Sequence, residues 1–369
     1  HKGDGDGGGV ALVELGRERV QVRADSTGAP LRWQPRRGGN RWLVVPNANG
    51  RAYVKAVLDA TSMAVALERL GALADPVARA VCSGALWDAV ADGTLEPTRF
   101  VAAVIRHLRS ELVAGVVEQL VERAVKAATL LSADPCAGPA VTALAGAARN
   151  WLEAAEPGAD LQLVSVRLLC TVARSPEDLD LLERLLSRPG FVRGLEVDTE
   201  LRWQLLVALA AAGCIATEDI SLAEARDGTE HARRQAWAAR AALPDPAMKA
   251  SSLAWIASTA GSLAERRAAM EGWQQPHQRA LLAPFAVQYP ETAVSVWSQG
   301  EEAGIAFARA MYPHHTPDDG VVLAATASLD HEGVPGGLRR VVQEERARLA
   351  RYQLARRRDA SCCEPITPG

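Results

Sequence analysis

The segment His331–Pro335 begins as a metal-binding motif would, with a histidine followed by a glutamate. Two histidines at positions i and i+4 of a helix can hold a zinc ion, while a glutamate beside the first activates a water molecule. Here Pro335 stands where the second histidine is needed, and proline also breaks the helix that would place both ligands on one face. We therefore predict that this segment is not a zinc site.

The other candidate ligands are isolated or wrongly spaced. His314 and His315 are adjacent, so on a helix they would point in different directions; we predict a loop pair, with metal binding as the alternative. His107 is predicted to lie alone on a helix surface. Cys362 and Cys363 could bind a soft metal or form a strained disulfide, but the default for such a pair is an exposed tail. The sequence thus predicts no catalytic, cofactor-binding or metal-ligating residue in this chain.

Cysteine usage favours a reducing compartment. The cysteines show no C-x-x-C spacing, and most of them stand inside apolar helical runs. Such residues are usually small buried hydrophobes, and a disulfide framework is not expected in a long helical chain. We therefore predict a cytoplasmic protein with reduced thiols at these positions: Cys82, Cys136, Cys170, Cys214, Cys362 and Cys363.

Composition excludes several classes of protein. Of 369 residues, 48% are hydrophobic, which excludes a disordered chain. The net charge of −3 gives the whole chain no general attraction for nucleic acid. No run of 18 apolar residues occurs that could cross a membrane. The sequence also contains no Gly-rich phosphate loop after a strand and no serine nucleophile elbow.

One basic concentration lies near the end of the chain. It could bind nucleic acid or an acidic partner, or it could be a terminal helix whose cations complement its own C-terminal dipole. Aromatic interleaving is limited to Tyr352, which favours the helix interpretation, and no nucleic-acid partner is predicted. The residues are Arg346, Arg348, Arg351, Arg356, Arg357 and Arg358.

The first part of the chain reads as a tail followed by strands. Residues 1–9 are polar and Gly-rich and are predicted to be disordered. Residues 10–59 are predicted to be β-rich, with four candidate strands. Four strands make at most one sheet, and the second face of such a sheet needs a partner surface to cover it. The candidate strands are Val10–Leu15, Arg19–Arg23, Arg41–Val45 and Ala52–Leu58, with a turn at residues 46–50.

From residue 60 to 358 the apolar pattern is helical, and residues 359–369 form a predicted tail. Helix starts combine a short polar residue with proline, and glycine ends helices at Gly93 and Gly213. The last helix should run from about Pro335 to Arg357. The predicted starts are Asp75-Pro76, Ser175-Pro176, Asp245-Pro246 and Thr316-Pro317.

The helix that Asp198 can cap shows how the helices should pack. Leu201, Leu205 and Leu209 form one apolar face, and Trp203 and Val207 lie on another. A helix that is apolar on two faces must be covered on both. The sequence therefore predicts a mainly α protein, a HEAT/armadillo-like α-solenoid of antiparallel helices preceded by a small β-strand segment.

A series of short segments resembles, in the same order, the aminopeptidase N family, and the actinobacterial members in particular. The first lies where the strands end and the helices begin, and the others follow through the helical region over residues 10–358. They are Leu43-Val44-Val45-Pro46-Asn47, Tyr53-Val54-Lys55, Leu58-Asp59, Leu86–Gly93, Val197–Trp203, Trp273–Pro276 and Tyr312-Pro313.

The resemblance implies that the chain is the C-terminal part of a zinc aminopeptidase. In that family an N-terminal β domain, a thermolysin-like catalytic domain and a small β-sandwich precede a helical domain. The matched stretch corresponds to the end of the sandwich and the helical domain, so the zinc motif would lie in the parent's catalytic domain. Ala268–Gly272 is similar to the family's G-A-M-E-N motif, but it lies deep in the helical region and is interpreted as accidental.

Function is expected to follow from that position. The chain does not begin with methionine, which we interpret as a piece of a longer cytoplasmic peptidase that removes N-terminal residues from peptides. This piece would wall and close the substrate chamber, with the parent's catalytic domain and peptide substrates as partners, and would be inactive alone. Arg202 either faces that chamber or has a structural partner. The alternative is a free-standing, non-enzymatic helical adaptor.

Overall fold

The computed structural model is mainly α-helical and describes residues 9–13, 19–23, 43–48, 50, 54–111 and 113–361. Residues 1–8 of the predicted tail 1–9 and the pair Cys362-Cys363 lie outside the described residues, whereas Gly9 belongs to the first strand, so the tail prediction is wrong at this residue. The chain divides into two compact units: unit 1 comprises His1–Ala140 and Leu354–Gly369, and unit 2 comprises Val141–Gln353.

Two short strands, β1 (Gly9–Val13) and β2 (Arg19–Arg23), pair in antiparallel register with Ala11 opposite Gln21. The predictions of further strands at Arg41–Val45 and Ala52–Leu58 are wrong for their described parts, residues 43–45 and 54–58, which have no regular structure. The reason is visible at Val44, whose backbone N–H donates to the Ser62 hydroxyl at 3.0 Å instead of to a neighbouring strand.

Side-chain caps set the starts of the first two helices of unit 1. Asp59 accepts hydrogen bonds from the backbone N–H groups of Thr61 and Ser62, and Asp75 accepts one from Val77. Gly93, at φ +69°, follows the end of a helix as predicted. The helices are α1 (Ala60–Arg69), α2 (Pro76–Ala91), α3 (Pro97–His107), α4 (Ala114–Lys126) and α5 (Asp134–Ala154), with single turns at Leu70–Ala72, Leu108–Ser110 and Ala127–Leu131.

Unit 2 continues from the second part of α5 with helices of similar length. These are α6 (Asp160–Val172), α7 (Pro176–Ser187), α8 (Thr199–Ala211), α9 (Thr217–Asp227), α10 (Glu230–Ala242), α11 (Pro246–Ile256), α12 (Leu263–Trp273), α13 (Arg279–Leu282), α14 (Tyr289–Trp297), α15 (Glu301–Ala310), α16 (Asp319–Ala327) and α17 (Gly336–Ala360), with 3₁₀ turns at Pro276–Gln278 and Ala283–Gln288. The last residues of α17, from Leu354 onward, belong to unit 1. Within the described ranges, no helix is long and apolar enough to span a lipid bilayer.

The predicted starts at Ser175-Pro176 and Asp245-Pro246 are confirmed, since α7 and α11 begin at these prolines. The prediction at Thr316-Pro317 is wrong: α16 begins at Asp319, because the carboxylate of Asp318 accepts the N–H of Gly320 at 2.8 Å. The last helix extends beyond the predicted Arg357 to Ala360. Asp359 is wholly buried, so the predicted tail boundary at 359 is also wrong.

Consecutive helices of unit 2 pack in a regular order. Helix α8 packs against α6 and α10, α10 packs against α12, and α12 packs against α15; we call these five helices the first row. The flanking helices α7, α9, α11 and α14 pack against α8, α10, α12 and α15 in turn. The two-faced helix predicted after Asp198 is α8, with Leu201, Trp203 and Leu205 all at most 1% exposed.

The closest approach within the first row is between α10 and α12. A Cβ atom on Gly272 would lie 2.0 Å from the Ala238 carbonyl oxygen, so only glycine lets the two backbones come this near. Ala241 on α10 and Ala269 on α12 are buried beside this contact. Small residues at this contact therefore set the distance between the backbones of α10 and α12.

Candidate functional site

The structure places the metal-motif segment in a loop. His331 Nδ1 accepts the N–H of Gly333 at 3.1 Å, and the next helix begins only at Gly336. No second ligand can therefore follow one turn later on the same helix face. Throughout the described ranges, no three His, Cys, Asp or Glu side chains are grouped closely enough to hold a metal ion.

His314 and His315 lie in the loop between α15 and α16, as predicted. His314 Nε2 lies 2.9 Å from Oε2 of Glu345, a carboxylate with no exposed area, which also accepts from Arg348 at 2.9 Å. The His314 ring packs against Tyr312, with centroids 4.7 Å apart. These contacts attach the loop to α17.

The prediction that His107 lies on a helix surface is wrong. The residue is 8% exposed, and its Nε2 lies 3.0 Å from the carbonyl oxygen of Leu67. Burial lowers the pKa of His107, and the neighbouring Arg106 lowers it further. A lone histidine in an amphipathic helix gave no indication that α1 would cover it.

Ala268–Gly272 belongs to the interior of α12. Met270 is in the core, Gly272 forms the close contact with α10, and Glu271 projects from the exposed side. Its crowded surroundings raise the pKa of the Glu271 carboxyl. The segment is thus part of a helix-packing surface.

Most of the basic residues of α17 have partners within the chain. Arg346 donates through one nitrogen, Nη1, to both carboxylate oxygens of Asp330, at 2.8 and 2.7 Å. Arg356 donates to the carbonyl of Leu130 at 2.8 Å, and Arg358 pairs with Glu96 at 2.7 Å. These three arginines hold α17 in place.

Arg202 is exposed and lies at the edge of a surface depression of about 440 Å³. Its guanidinium is 3.5 Å from the carbonyl oxygen of Leu186, at the end of α7, and no described carboxylate pairs with it. The depression is lined by Leu185, Leu186, Pro189, Gly190, Gly194, Leu195, Glu196, Val197 and Arg202. The side chain is therefore available to a ligand, and the structure gives it no buried structural partner.

A different set of polar residues, which the sequence did not suggest, lies at the C-terminal ends of the first row. Gln278 donates to the carbonyls of Ala211 at 2.9 Å and Ala242 at 2.8 Å, which joins the ends of α8 and α10. Lys249 donates to the carbonyls of Ala241 at 2.6 Å and Trp273 at 3.0 Å, which joins the ends of α10 and α12. These side chains satisfy carbonyls that a helix end leaves unpaired. We call this set the carbonyl cluster.

Two further basic residues complete the carbonyl cluster. His277 Nε2 lies 2.9 Å from the Ala211 oxygen, and Arg174 donates to Thr171 at 2.9 Å near the end of α6. Although His277 is exposed, its crowded surroundings lower its pKa, and the charges of Arg174 and Lys249 lower it further. The cluster is thus basic and built on backbone oxygens.

Cysteine chemistry differs from the prediction at two positions. Cys136 is disulfide-bonded, whereas Cys82, Cys170 and Cys214 are free. Cys214 is exposed, not buried. Spacing along the sequence could not reveal the disulfide, because spacing does not show which segments meet in space.

The exposed surface of the first row carries pairs of opposite charge between neighbouring helices. Arg167 on α6 lies 3.7 Å from Glu200 on α8, and Arg267 on α12 lies 3.0 Å from Glu302 on α15. All four side chains are at least 41% exposed. We call the area marked by these four residues the first-row surface; such exposed pairs add little to stability.

Comparison with known proteins connects this architecture to one family. The model of the ERAP1-like C-terminal domain matches residues 43–351. Aminopeptidase N of Streptomyces lividans is 34% identical over 366 residues, which is 98% of this chain and 42% of that protein. The chain therefore spans less than half the length of this curated relative.

Proposed function

Since the chain belongs to the aminopeptidase N family through its ERAP1-like C-terminal domain, we propose that it acts as the C-terminal helical part of a zinc aminopeptidase. The observation that carries this proposal is the match over residues 43–351, which includes every helix from α1 to α16 and most of α17. The identity with aminopeptidase N over nearly the whole chain supports the same conclusion. The parent would remove N-terminal residues from peptides in the cytoplasm.

The described residues do not fit a zinc site. His331 lies in a loop, His314 is bonded to Glu345, and no third ligand joins either of them within the described ranges. We therefore derive no catalytic step from this chain. In the proposed parent, zinc and its ligands belong to the part of the protein that this chain does not include.

We propose that the helices form a HEAT-like α-solenoid, which walls and closes the substrate chamber. Two observations support this role: first-row helices contact one another in sequence, and flanking helices are interleaved between them along the chain. Because neighbours are consecutive, such an array keeps an extended surface of fixed shape. The first-row surface, with its mixed charges, would face peptide, while the preceding β-rich segment would join the rest of the sandwich.

Arg202 is our candidate for a direct peptide contact. Its guanidinium can pair with a carboxylate, and apolar side chains such as Leu185, Leu195 and Val197 line the same depression. A peptide end that carries a carboxylate beside an apolar side chain fits this combination. The depression lies beside the end of α7, so this contact would be separate from the first-row surface.

The proposal is tested by mixing this chain with a separately produced N-terminal portion of the related Streptomyces lividans enzyme. We expect the two portions to associate through an interface that buries more than about 1,000 Å², the lower limit for a specific interface. We also expect that this chain alone hydrolyses no aminoacyl-arylamide, and that hydrolysis by the mixture requires zinc.

Charge reversal tests whether the first-row surface, and not the flanking helices, faces the peptide substrate. Arg267→Glu on the first-row surface should change the length preference for peptide substrates, and Arg184→Glu, on the flanking helix α7, is the matched control. Hydrolysis by this chain alone in the presence of a chelator would contradict the proposal. A monomer without affinity for the other portion would favour a free-standing adaptor.

A further inference from the structure

Lys249 is the most deeply buried cationic side chain among the described residues, with no exposed area. It projects from α11 between the ends of α10 and α12, where Nζ donates to Ala241 at 2.6 Å and to Trp273 at 3.0 Å. The contact is reciprocal, because the indole N–H of Trp273 donates to the Lys249 carbonyl at 3.0 Å. One side chain therefore ties together three helices.

The number of acceptors matches a neutral amine. A neutral amine has two N–H donors, and two carbonyl oxygens accept from Nζ. An ammonium has three donors, and the third would have no acceptor in this site. The Trp273 ring, 5.7 Å from Nζ, gives a cation only weak compensation.

No described acidic side chain pairs with Lys249. On α11 the carboxylate of Asp245 accepts the N–H of Met248 at 2.8 Å, and on α12 Glu271 projects from the exposed side. The nearby ionisable group is instead His277, whose pKa is lowered to about 4, so that its ring is neutral where Lys249 titrates; the charge of Arg174, which lies near His277, is positive. The other charged groups on the packed helices have partners elsewhere: Glu230 with Arg234, Arg240 with Glu224, Glu265 with Ser262, Arg266 with Gln299, and Arg267 with Glu302; His231 and Arg233 lie toward the start of α10.

We propose that Lys249 is a proton-controlled latch: its neutral amine holds the C-terminal ends of α10 and α12 together, and uptake of a proton loosens them. The carbonyls of two helix ends attract a cation, but this attraction is smaller than the cost of burying an ammonium without a counter-charge. Separation of the two helix ends lets water solvate the charged Lys249, which lowers the free energy of the ammonium.

The direction of the effect with pH follows from the same geometry. Burial lowers the pKa of Lys249 to about 7, while an unfolded chain keeps its lysines protonated to about pH 10. Between these values the unfolded state binds more protons than the folded state, so this group makes stability rise with pH. At and below about pH 7 the stability that the neutral Lys249 amine contributes is lost, and the latch loosens.

Selective labelling gives a direct test, because the chain contains only Lys2, Lys55, Lys126 and Lys249. The full chain carrying ¹³C at lysine Cε would be titrated by NMR from pH 5.5 to 11. We expect one signal to titrate near pH 7 and to be missing in Lys249→Met. Titration of all four lysines at about pH 10, the ordinary range, would overturn the proposal.

Hydrogen exchange tests the loosening itself. After correction for the intrinsic rate, exchange at the ends of α10 and α12 should increase by about tenfold between pH 8 and pH 6. Lys249→Met should abolish this pH dependence, and Lys55→Met, at an exposed pair with Asp92, should retain it. If Lys249→Met does not fold, the wild-type titration and the Lys55→Met control still decide the question. Exchange that does not depend on pH in the wild type would overturn the latch.

Discussion

The hydrogen bonds that join helix ends span very different sequence separations in unit 1 and in unit 2. In unit 1, Asp359 near the end of α17 accepts from the Thr98 backbone and hydroxyl at 3.2 and 2.7 Å and from the Ala133 backbone at 3.0 Å, with sequence separations of 261 and 226 residues. In unit 2, the bonds that join helix ends span shorter distances along the chain. Lys249 and Trp273 are 24 residues apart, and Gln278 and Ala211 are 67 apart.

The difference shows which parts of the chain each unit needs in order to fold. Unit 2 can add one helix after another, because each helix finds its neighbours among recently added segments. In unit 1, the backbone N–H groups of Thr98 and Ala133, at the starts of α3 and α5, gain their acceptor only when the last turns of α17 have formed. We therefore expect unit 1 to respond to changes at the end of the helix, and unit 2 to respond to changes between neighbouring helices.

Asp359→Ala should have the largest effect. It removes the hydrogen bonds of a wholly buried carboxylate at two helix N-termini, so we expect a loss of about 3–5 kcal/mol in the free energy of unfolding. Urea denaturation would measure the loss, and hydrogen exchange would locate it in α3 and α5. The exposed Glu344→Gln is the control, and an equal loss of protection in unit 2 would contradict the comparison.

Gly272→Ala should be the most damaging single-methyl change between α10 and α12. The added Cβ would meet the Ala238 backbone, which cannot move as a flexible side chain can, and we expect a loss of about 3 kcal/mol. The matched control is Gly84→Ala, where a Cβ meets nothing within 4 Å and a helix should gain about 0.5–1 kcal/mol. A stable Gly272→Ala protein would show that the row tolerates a wider spacing.

Gln278→Leu should have a moderate effect that stays within unit 2. The buried amide joins α8 and α10 through two hydrogen bonds, each worth about 1 kcal/mol, so we expect a loss of about 2 kcal/mol. Thermal unfolding measured beside Gln204→Leu, whose amide only contacts Glu200 at 3.3 Å, provides the comparison. Equal losses in both variants would show that the ends of the row contribute little.

Arg202→Met should change stability least, by less than about 0.5 kcal/mol, because its side chain is exposed and its one contact is long. In the assembled enzyme we expect a higher KM for peptides with a free C-terminal carboxylate and an unchanged kcat. Peptides with a C-terminal amide are the control substrates. A loss of stability above about 1 kcal/mol without a change in KM would assign Arg202 a structural role.

Much of the architecture was predictable because its causes are local. Asp75, Asp198 and Asp245 cap helices through backbone groups two or three residues away, and Gly213 ends α8 with a positive φ. The family membership that short segments in a fixed order predicted is confirmed by the family match over residues 43–351 and by the 34% identity with aminopeptidase N.

The tertiary structure decided the rest, since the partners are distant in sequence. Nothing around Lys249 indicates that the ends of two other helices would bury it, and the pattern near Asp359 is typical of a fraying terminus. His107 was misplaced on the surface for the same reason. A sequence determines which backbone groups a residue can cap within one turn, whereas only the folded chain determines which charges lose their water and must find partners in the protein.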